Sequence, residues 1–271
     1  GIENMQIAAV ERREPAADEV EIHVDAYGMN FQNVMVAMGF VKHIQTMVLD
    51  CAGTVSAVGS AVTEFRPGDR VLTTAYGPFA SHVYARASLV AKVPETMSAE
   101  DAASIPTVFM TAWHALVEAG QLQKGGTVLL HSASGGVGLA AIQVARAQGA
   151  DIIATAGTER KRAILRSQGI RHVFSSRSTD FEQEMHAATT GRGVDVVLNF
   201  LTKELADSGM RCLKSGGCFV EIGKTDIRTP DQVAAIRGDI AYRVVDLEKM
   251  GQKDENQLRR IFRQVMQGFA A

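Results

Sequence analysis

Three glycines fall within four positions of the stretch "VLLHSASGGVGLAAIQVARAQGA" (128–150), between an apolar run and an alanine-rich run. In the dinucleotide frame G-x-G-x-x-G the chain reads Ala133-Ser134-Gly135-Gly136-Val137-Gly138, with Ala at the first position and Gly at the second and third. Glycine at 135 lets a backbone approach a pyrophosphate, and glycine at 138 lets a helix pack closely on the preceding strand. The helix that follows would offer free N–H groups and the positive end of its dipole to phosphates. The plainer alternative is an ordinary strand-to-helix turn. The context favours the ligand: the motif follows the first strand of an alternating series and opens an amphipathic helix.

The tip of the next strand tells the two nicotinamide dinucleotides apart. A site for NAD places Asp or Glu there, against the ribose 2′-OH. This chain has Thr155, Ala156, Gly157 and Thr158, then "ERKR". Lys161 and Arg162 stand close by, and Arg177 follows the third strand in "FSSRSTDF". Cations without an acid suit a 2′-phosphate, which points to NADPH. The alternative for "ERKR" is a solvated helix face.

Composition narrows the class. The chain has 271 residues, 46% of them hydrophobic, enough for one large domain or two ordinary ones. A net charge of −2 gives no reason to expect nucleic acid or an anionic membrane as partner. No apolar run reaches the roughly 18 residues of a membrane span, and "GIENMQIAAVERREP" does not read as a signal peptide. A chain starting "GIENM" without an initiator Met reads as a domain excised from something longer. Three cysteines, Cys51, Cys212 and Cys218, argue against a disulfide framework and for a reducing, cytoplasmic setting. None has a partner at metal-ligand spacing, so no zinc site is expected.

These residues need elements to position them, and the two halves differ in texture. Up to about residue 95, short strand-like runs alternate with turn residues: 19–28, 53–59, 69–77 and 80–93, with "RPGD" (66–69) as a turn. This predicts an antiparallel, barrel-like β domain. From about residue 105, apolar β-rich runs at 127–132, 151–156, 172–176, 195–200, 218–223 and 242–247 alternate with helical stretches. That pattern predicts a parallel sheet covered on both faces, and six such strands suit a doubly wound dinucleotide fold.

Seven stretches, in order, carry a resemblance: "GMNFQNVMVAMG", "LDCAGTVSAVG", "FRPGDRV", "IPTVFMTAWHAL", "HSASGGVGLAAIQVA", "GRGVDVVLNFL" and "FVEIGKTDI". The chain resembles the enoyl reductase domains of polyketide synthases and animal fatty acid synthase, within the zinc-independent medium-chain dehydrogenase/reductases. The resemblance implies an α/β protein: a GroES-like substrate domain over 1–105, its closing C-terminal part absent or divergent, and a Rossmann NADPH-binding domain over 106–271. It implies NADPH-dependent reduction of the α,β-double bond of an enoyl thioester on acyl carrier protein, inside a homodimeric synthase with further domains. Asn30 and Thr111 match positions lining the nicotinamide pocket. Ser134 to Gly138, Gly157, Thr158, Asn199 and Gly223 match cofactor-binding positions, and Lys161 and Arg177 the 2′-phosphate contacts. Lys224, in "EIGK", matches the lysine proposed as proton donor, and Asp246, in "VVDL", its acidic partner.

Departures are informative. Zinc-dependent relatives carry a His-Glu pair where this chain has Leu49 and Asp50, and Asp50 and Cys51 read as a relic of that site. The catalytic Tyr of some modular reductases would fall near Phe40 and Val41. His131, Trp113 and His114 read as packed residues. Two other readings share these motifs: a free-standing quinone oxidoreductase, and a structural module that binds NADPH without turnover.

Overall fold

A computed structural model describes residues 6–40 and 47–270. The chain divides into two compact units. One runs up to Thr107 and takes in the chain from Asn256 onward; the other is Val108–Glu255. The sequence pattern keeps 106–271 together, whereas the compact units part at Thr107 and again at Asn256.

The first unit is built on five strands, β1 (Glu19–Gly28), β2 (Val48–Val58), β3 (Arg70–Tyr76), β4 (His82–Arg86) and β5 (Val90–Lys92). They form one antiparallel sheet in the order β4-β1-β2-β3-β5. Alternate residues point to opposite faces of a strand. Accordingly Val20 and Ile22, Val71 and Ala75, and Val83 and Ala85 share one buried cluster with Cys51 and Val55. The run expected at 80–93 is two strands joined by a single 3₁₀ turn at Ala87–Leu89. Helix α1 (Phe31–Ala37) follows β1, and α2 (Ala99–Ala103) follows β5. Ser98 caps α2 by accepting from the Asp101 N–H at 3.0 Å. A Cβ on Gly28 would lie 2.1 Å from the Ala103 carbonyl oxygen, so only glycine lets β1 end against this turn.

Helix α3 (Pro106–Trp113) continues as a π-helical turn, His114–Ala119. The second unit then alternates β6 (Thr127–Leu130), α4 (Gly136–Ala147), β7 (Asp151–Ala156), α5 (Glu159–Ser167), β8 (His172–Ser175), α6 (Asp180–Ala188), β9 (Val194–Asn199), α7 (Glu204–Arg211), β10 (Leu213–Glu221), α8 (Pro230–Ile236), β11 (Ala241–Val244) and α9 (Leu247–Lys253). The strands are parallel, in the order β11-β10-β9-β6-β7-β8. Strand order reverses between β6 and β9, which is the doubly wound topology, and ligands of such sheets bind at the carboxyl ends by that switch point. Both faces are covered. Val128, Leu130, Val196, Leu198 and Val220 join one core cluster, while their neighbours Leu129, Val197 and Phe219 join the opposite one. Helix α10 (Glu255–Ala270) buries Leu258, Ile261, Phe262 and Val265, a stripe at helical spacing. Among the described residues no helix is long and apolar enough to cross a membrane.

Two strand ends differ from the sequence expectation. β10 stops at Glu221, two residues before Gly223, and β11 stops at Val244. Asp246 does not end a strand. It is the N-cap of α9, its side chain accepting from the Lys249 N–H at 3.3 Å. An N-cap draws on Asp as readily as a strand end does, and sequence pattern alone does not separate the two.

Candidate dinucleotide and reduction site

The glycine loop sits at the carboxyl end of β6. Ser132 turns the chain through a left-handed φ of 49°, and the Ala133 N–H donates to the Thr155 carbonyl at 3.0 Å, tying the loop to β7. A Cβ on Gly138 would meet Ala133 Cα at 2.5 Å, so glycine there is a packing requirement. Gly135 is different. Its φ of −84° suits any residue, and the nearest atom to an added Cβ is the Ser132 oxygen at 3.5 Å. Nothing within the second unit requires glycine at 135, and its bare backbone leaves room for a ligand to approach. The same holds nearly as well for Gly136, whose added Cβ would touch only a Val108 methyl at 3.3 Å. Gly135 and Gly136 are exposed, and Ser134 and Val137 are half-buried beside them. No side chain caps α4 and no acid stands in its first turn, so its N–H groups and positive dipole end remain available.

At the tip of β7 the guanidinium of Arg177 lies over Gly157: an added Cβ there would be 2.8 Å from Arg177 Nε. Arg162 is committed elsewhere, donating to the Ala156 carbonyl at 3.1 Å and pairing with Glu159. The Thr158 hydroxyl caps α5 by accepting from the Lys161 N–H at 3.3 Å. The side chains of Lys161 and Arg177 are exposed, and among the described residues neither has an ion pair or hydrogen bond of its own. Two uncommitted cations beside an exposed strand tip are a ready seat for a phosphate dianion.

The tips of β9, β10 and β11 hold the remaining polar groups. Asn199 is fully buried. Its amide donates to the Leu201 carbonyl and to Glu221 Oε2, at 2.8 and 2.6 Å. Gly223 donates its N–H to Glu221 Oε1 at 2.6 Å. Glu221 is 2% exposed, and burial pushes its carboxyl up to about 7 against the pull of these two donors. Lys224 is exposed, with Nζ 3.5 Å from Asp246 Oδ1 and 3.5 Å from Glu248 Oε2. Glu221 escaped the sequence reading. The signal was there in "CFVEIG": a lone carboxylate in an otherwise apolar strand must find donors or lose its charge.

In the first unit, Asp50 is likewise buried and far from an idle relic. It accepts from Asn30 Nδ2 at 2.8 Å, from Thr107 Oγ1 at 2.8 Å and from the Thr107 N–H at 3.1 Å. Burial pushes its carboxyl up to about 6, and the donors hold it from rising further. Asp50 thus ties Asn30 to the first turn of α3. Thr111 stands half-buried on that helix, in the second unit. Among the described residues no three His, Cys, Asp or Glu side chains gather as a metal donor set. Cys51 is buried in the apolar cluster of the β-sheet, and every oxygen of Asp50 faces a donor, so these residues do not fit a zinc ion. His131 is buried, its Nδ1 3.0 Å from Thr155 Oγ1, and the absence of water holds its basicity down to about 3. Of the pair marking the absent Tyr, Phe40 is exposed and Val41 lies outside the described residues.

Comparison with known proteins places this geometry. The alcohol dehydrogenase GroES-like domain family matches residues 16–95, and the zinc-binding dehydrogenase family matches residues 136–249. The mycocerosic acid synthase-like polyketide synthase of Mycolicibacterium smegmatis is 39% identical over 278 residues, covering 98% of this chain. The chain spans only 13% of that relative's length. The crystal structure of the CurK enoyl reductase superposes with a TM-score of 0.94 at 36% identity, over 100% of this chain and 85% of that one. The quinone oxidoreductase of Escherichia coli, solved in complex with NADPH, gives a TM-score of 0.86 at 26% identity, over 99% of this chain and 83% of that one.

Proposed function

The chain belongs to the enoyl reductase domains of polyketide synthases, within the GroES-like alcohol dehydrogenase and zinc-binding dehydrogenase families, and from that premise we propose that it reduces the α,β-double bond of an enoyl thioester with NADPH. The observation that carries the reading is the carboxyl edge of its parallel sheet. There the glycine loop is open at Gly135, two cations stand uncommitted at the β7 tip, and Lys224 is held by two carboxylates beyond β10.

NADPH, when bound, supplies the hydride for the β-carbon of the enoyl thioester. The residues do the rest. Ser134 to Gly138 and the N-terminus of α4 bind the pyrophosphate, with Gly157 and Thr158 beside the adenosine ribose. Lys161 and Arg177 bind the 2′-phosphate through charge-assisted hydrogen bonds. In the second unit Thr111 and Gly223 orient the nicotinamide end, and Asn199, buried and engaged with Leu201 and Glu221, supports that end without touching the cofactor. As charge develops on the thioester oxygen, a cation is the group best suited to stabilise it and to protonate the α-carbon. Lys224 serves as that proton donor, with Asp246 and Glu248 holding its ammonium in place. The substrate rides on an acyl carrier protein, in a cytoplasmic, homodimeric synthase whose other domains are further partners.

The test is turnover by the purified chain. NADPH oxidation with a crotonyl thioester should far exceed that with a benzoquinone, and NADH should substitute poorly. Preference for the quinone would make it a quinone oxidoreductase, and NADPH binding without turnover of either would make it a structural module.

A further inference from the structure

One buried titratable group has no part in that chemistry. Glu221 ends β10, and its two carboxylate oxygens face two different donors. Oε2 takes the Asn199 amide from the end of β9, and Oε1 takes the Gly223 N–H from the loop that leads to Lys224, each at 2.6 Å. The Asn199 amide is itself fixed at both ends, because its oxygen accepts from the Leu201 N–H at 3.1 Å while its NH₂ also reaches the Leu201 carbonyl. Among the described residues Glu221 has no cationic partner in contact that would account for a carboxylate in the sheet.

We propose that Glu221 is a positioning residue of the reduction site: its carboxylate ties the Asn199 side chain to the Gly223 N–H and so holds the β10 loop in the register that presents Lys224. The inference rests on the functional reading above. A neutral side chain of the same size could not do this. Glutamine at 221 has one acceptor oxygen and one NH₂, so one of its two ends would face a donor with a donor. The Asn199 amide cannot turn over to compensate, because both of its ends are already engaged with Leu201. The ionised form is the better clamp, since hydrogen bonds to a charged acceptor are stronger than neutral ones.

The surroundings decide how pH acts on the clamp. The charged and titratable groups facing Glu221 are Asp226 and Arg228, on the loop beyond Gly223, and Tyr242 on β11. Asp226 opposes its charge and Arg228 favours it. Arg228 is shared with Asp207 at 2.8 Å and with Asp226 at 3.3 Å. Burial dominates, so the clamp should weaken as pH falls through about 7.

The test compares the wild type with Glu221→Gln in three ways: hydrogen exchange of the peptide covering 222–226, NADPH affinity by fluorescence from pH 5.5 to 8.5, and kcat on a crotonyl thioester. In the variant, exchange at Gly223 and Lys224 should be about 10-fold faster. NADPH affinity and kcat should each fall by about 10-fold or more, as one buried donor loses its acceptor. The wild type should lose affinity below about pH 7 for NADPH and, measured over the same range, for NADH, and the variant should keep only the part of the NADPH limb that the 2′-phosphate, titrating at about 6, contributes. The wild-type NADH profile is free of that phosphate and needs no mutant to fold, so it tests the inference by itself. Exchange, affinity and pH profile all matching the wild type would overturn it. Faster exchange with unchanged affinity and unchanged pH profile would make Glu221 a structural residue only, and would overturn it equally. If the wild type reduces no enoyl thioester while exchange and NADPH affinity shift as described, the proposed activity falls and the role of Glu221 stands.

Discussion

Replacing two glycines of one loop by alanine should have opposite consequences. At 138 the new Cβ would sit 2.5 Å from Ala133 Cα and 2.6 Å from its carbonyl atoms. Backbone cannot step aside like a flexible side chain, so α4 must move off β6. Overpacking of this kind costs about 1–3 kcal/mol where side chains yield, and a backbone clash belongs at or beyond the upper end. At 135 the φ of −84° admits alanine and the nearest atom is 3.5 Å away. Gly135→Ala should leave stability unchanged or raise it by about 0.4–1 kcal/mol, through the reduced freedom of the unfolded chain. Yet it plants a methyl where the pyrophosphate must approach. A loss of 10- to 100-fold in NADPH affinity, about 1.4–2.8 kcal/mol, is expected. Thermal melting reports the first quantity and quenching or enhancement of nicotinamide fluorescence the second. Wild-type NADPH affinity in Gly135→Ala would refute the cradle. A marked fall in its melting temperature would refute the claim that packing leaves the position free.

Lys161→Ala and Arg177→Ala should each weaken NADPH by roughly 10- to 100-fold, the worth of a charge-assisted hydrogen bond, and barely change NADH, as read by titration of both cofactors. Lys224→Ala should lower kcat by about 10²–10⁴-fold while NADPH affinity stays within a few-fold; a raised KM with kcat retained would make Lys224 a binding residue instead. Asp246→Asn should cost less activity and little stability, because Asn is as good an N-cap as Asp, whereas Asp246→Ala should also lose about 0.5–2 kcal/mol of stability from α9. Asp50 titrates near 6 when folded against 3.8 when unfolded. Its native form therefore binds the proton more tightly, and this contribution to stability is fully present below pH 3.8 and is lost as pH rises through 6. Melting curves from about pH 4 to 7 should show that decline in the wild type and a flatter profile in Asp50→Asn.

The features that could be read from the sequence are those written locally. The change from period-two runs to apolar strands separated by helical stretches gave both sheets, because strand alternation and helix amphipathicity leave marks within about ten residues. The glycine loop was legible because its context, strand before and helix after, is local too. The division of the chain was not. Grouping of the chain from Asn256 onward with the first unit depends on where the buried stripe of α10 finds its partners, and a stripe does not name them. The carboxylates of Asp50 and Glu221 were undervalued for the same reason. Their donors come from Asn30 and Thr107 in one case and from Asn199 and Gly223 in the other, at separations of 20 and 57 and of 22 and 2 residues. The clue was chemical: each is a lone acid inside a run of apolar residues. Strand ends at Glu221 and Val244 fell short of the apolar runs because a loop begins inside one and the approach to an N-cap inside the other.

The most direct measurement follows the label. The purified chain is given a crotonyl thioester and NADPH carrying deuterium at the transferable C4 position, in ordinary water, and the saturated product is analysed by mass spectrometry and NMR. The account predicts one deuterium at the β-carbon and solvent hydrogen at the α-carbon. In Lys224→Ala the β-label should be kept while the rate collapses. Consumption of NADPH with no deuterated butyryl thioester, or reduction of a quinone in its place, would contradict it.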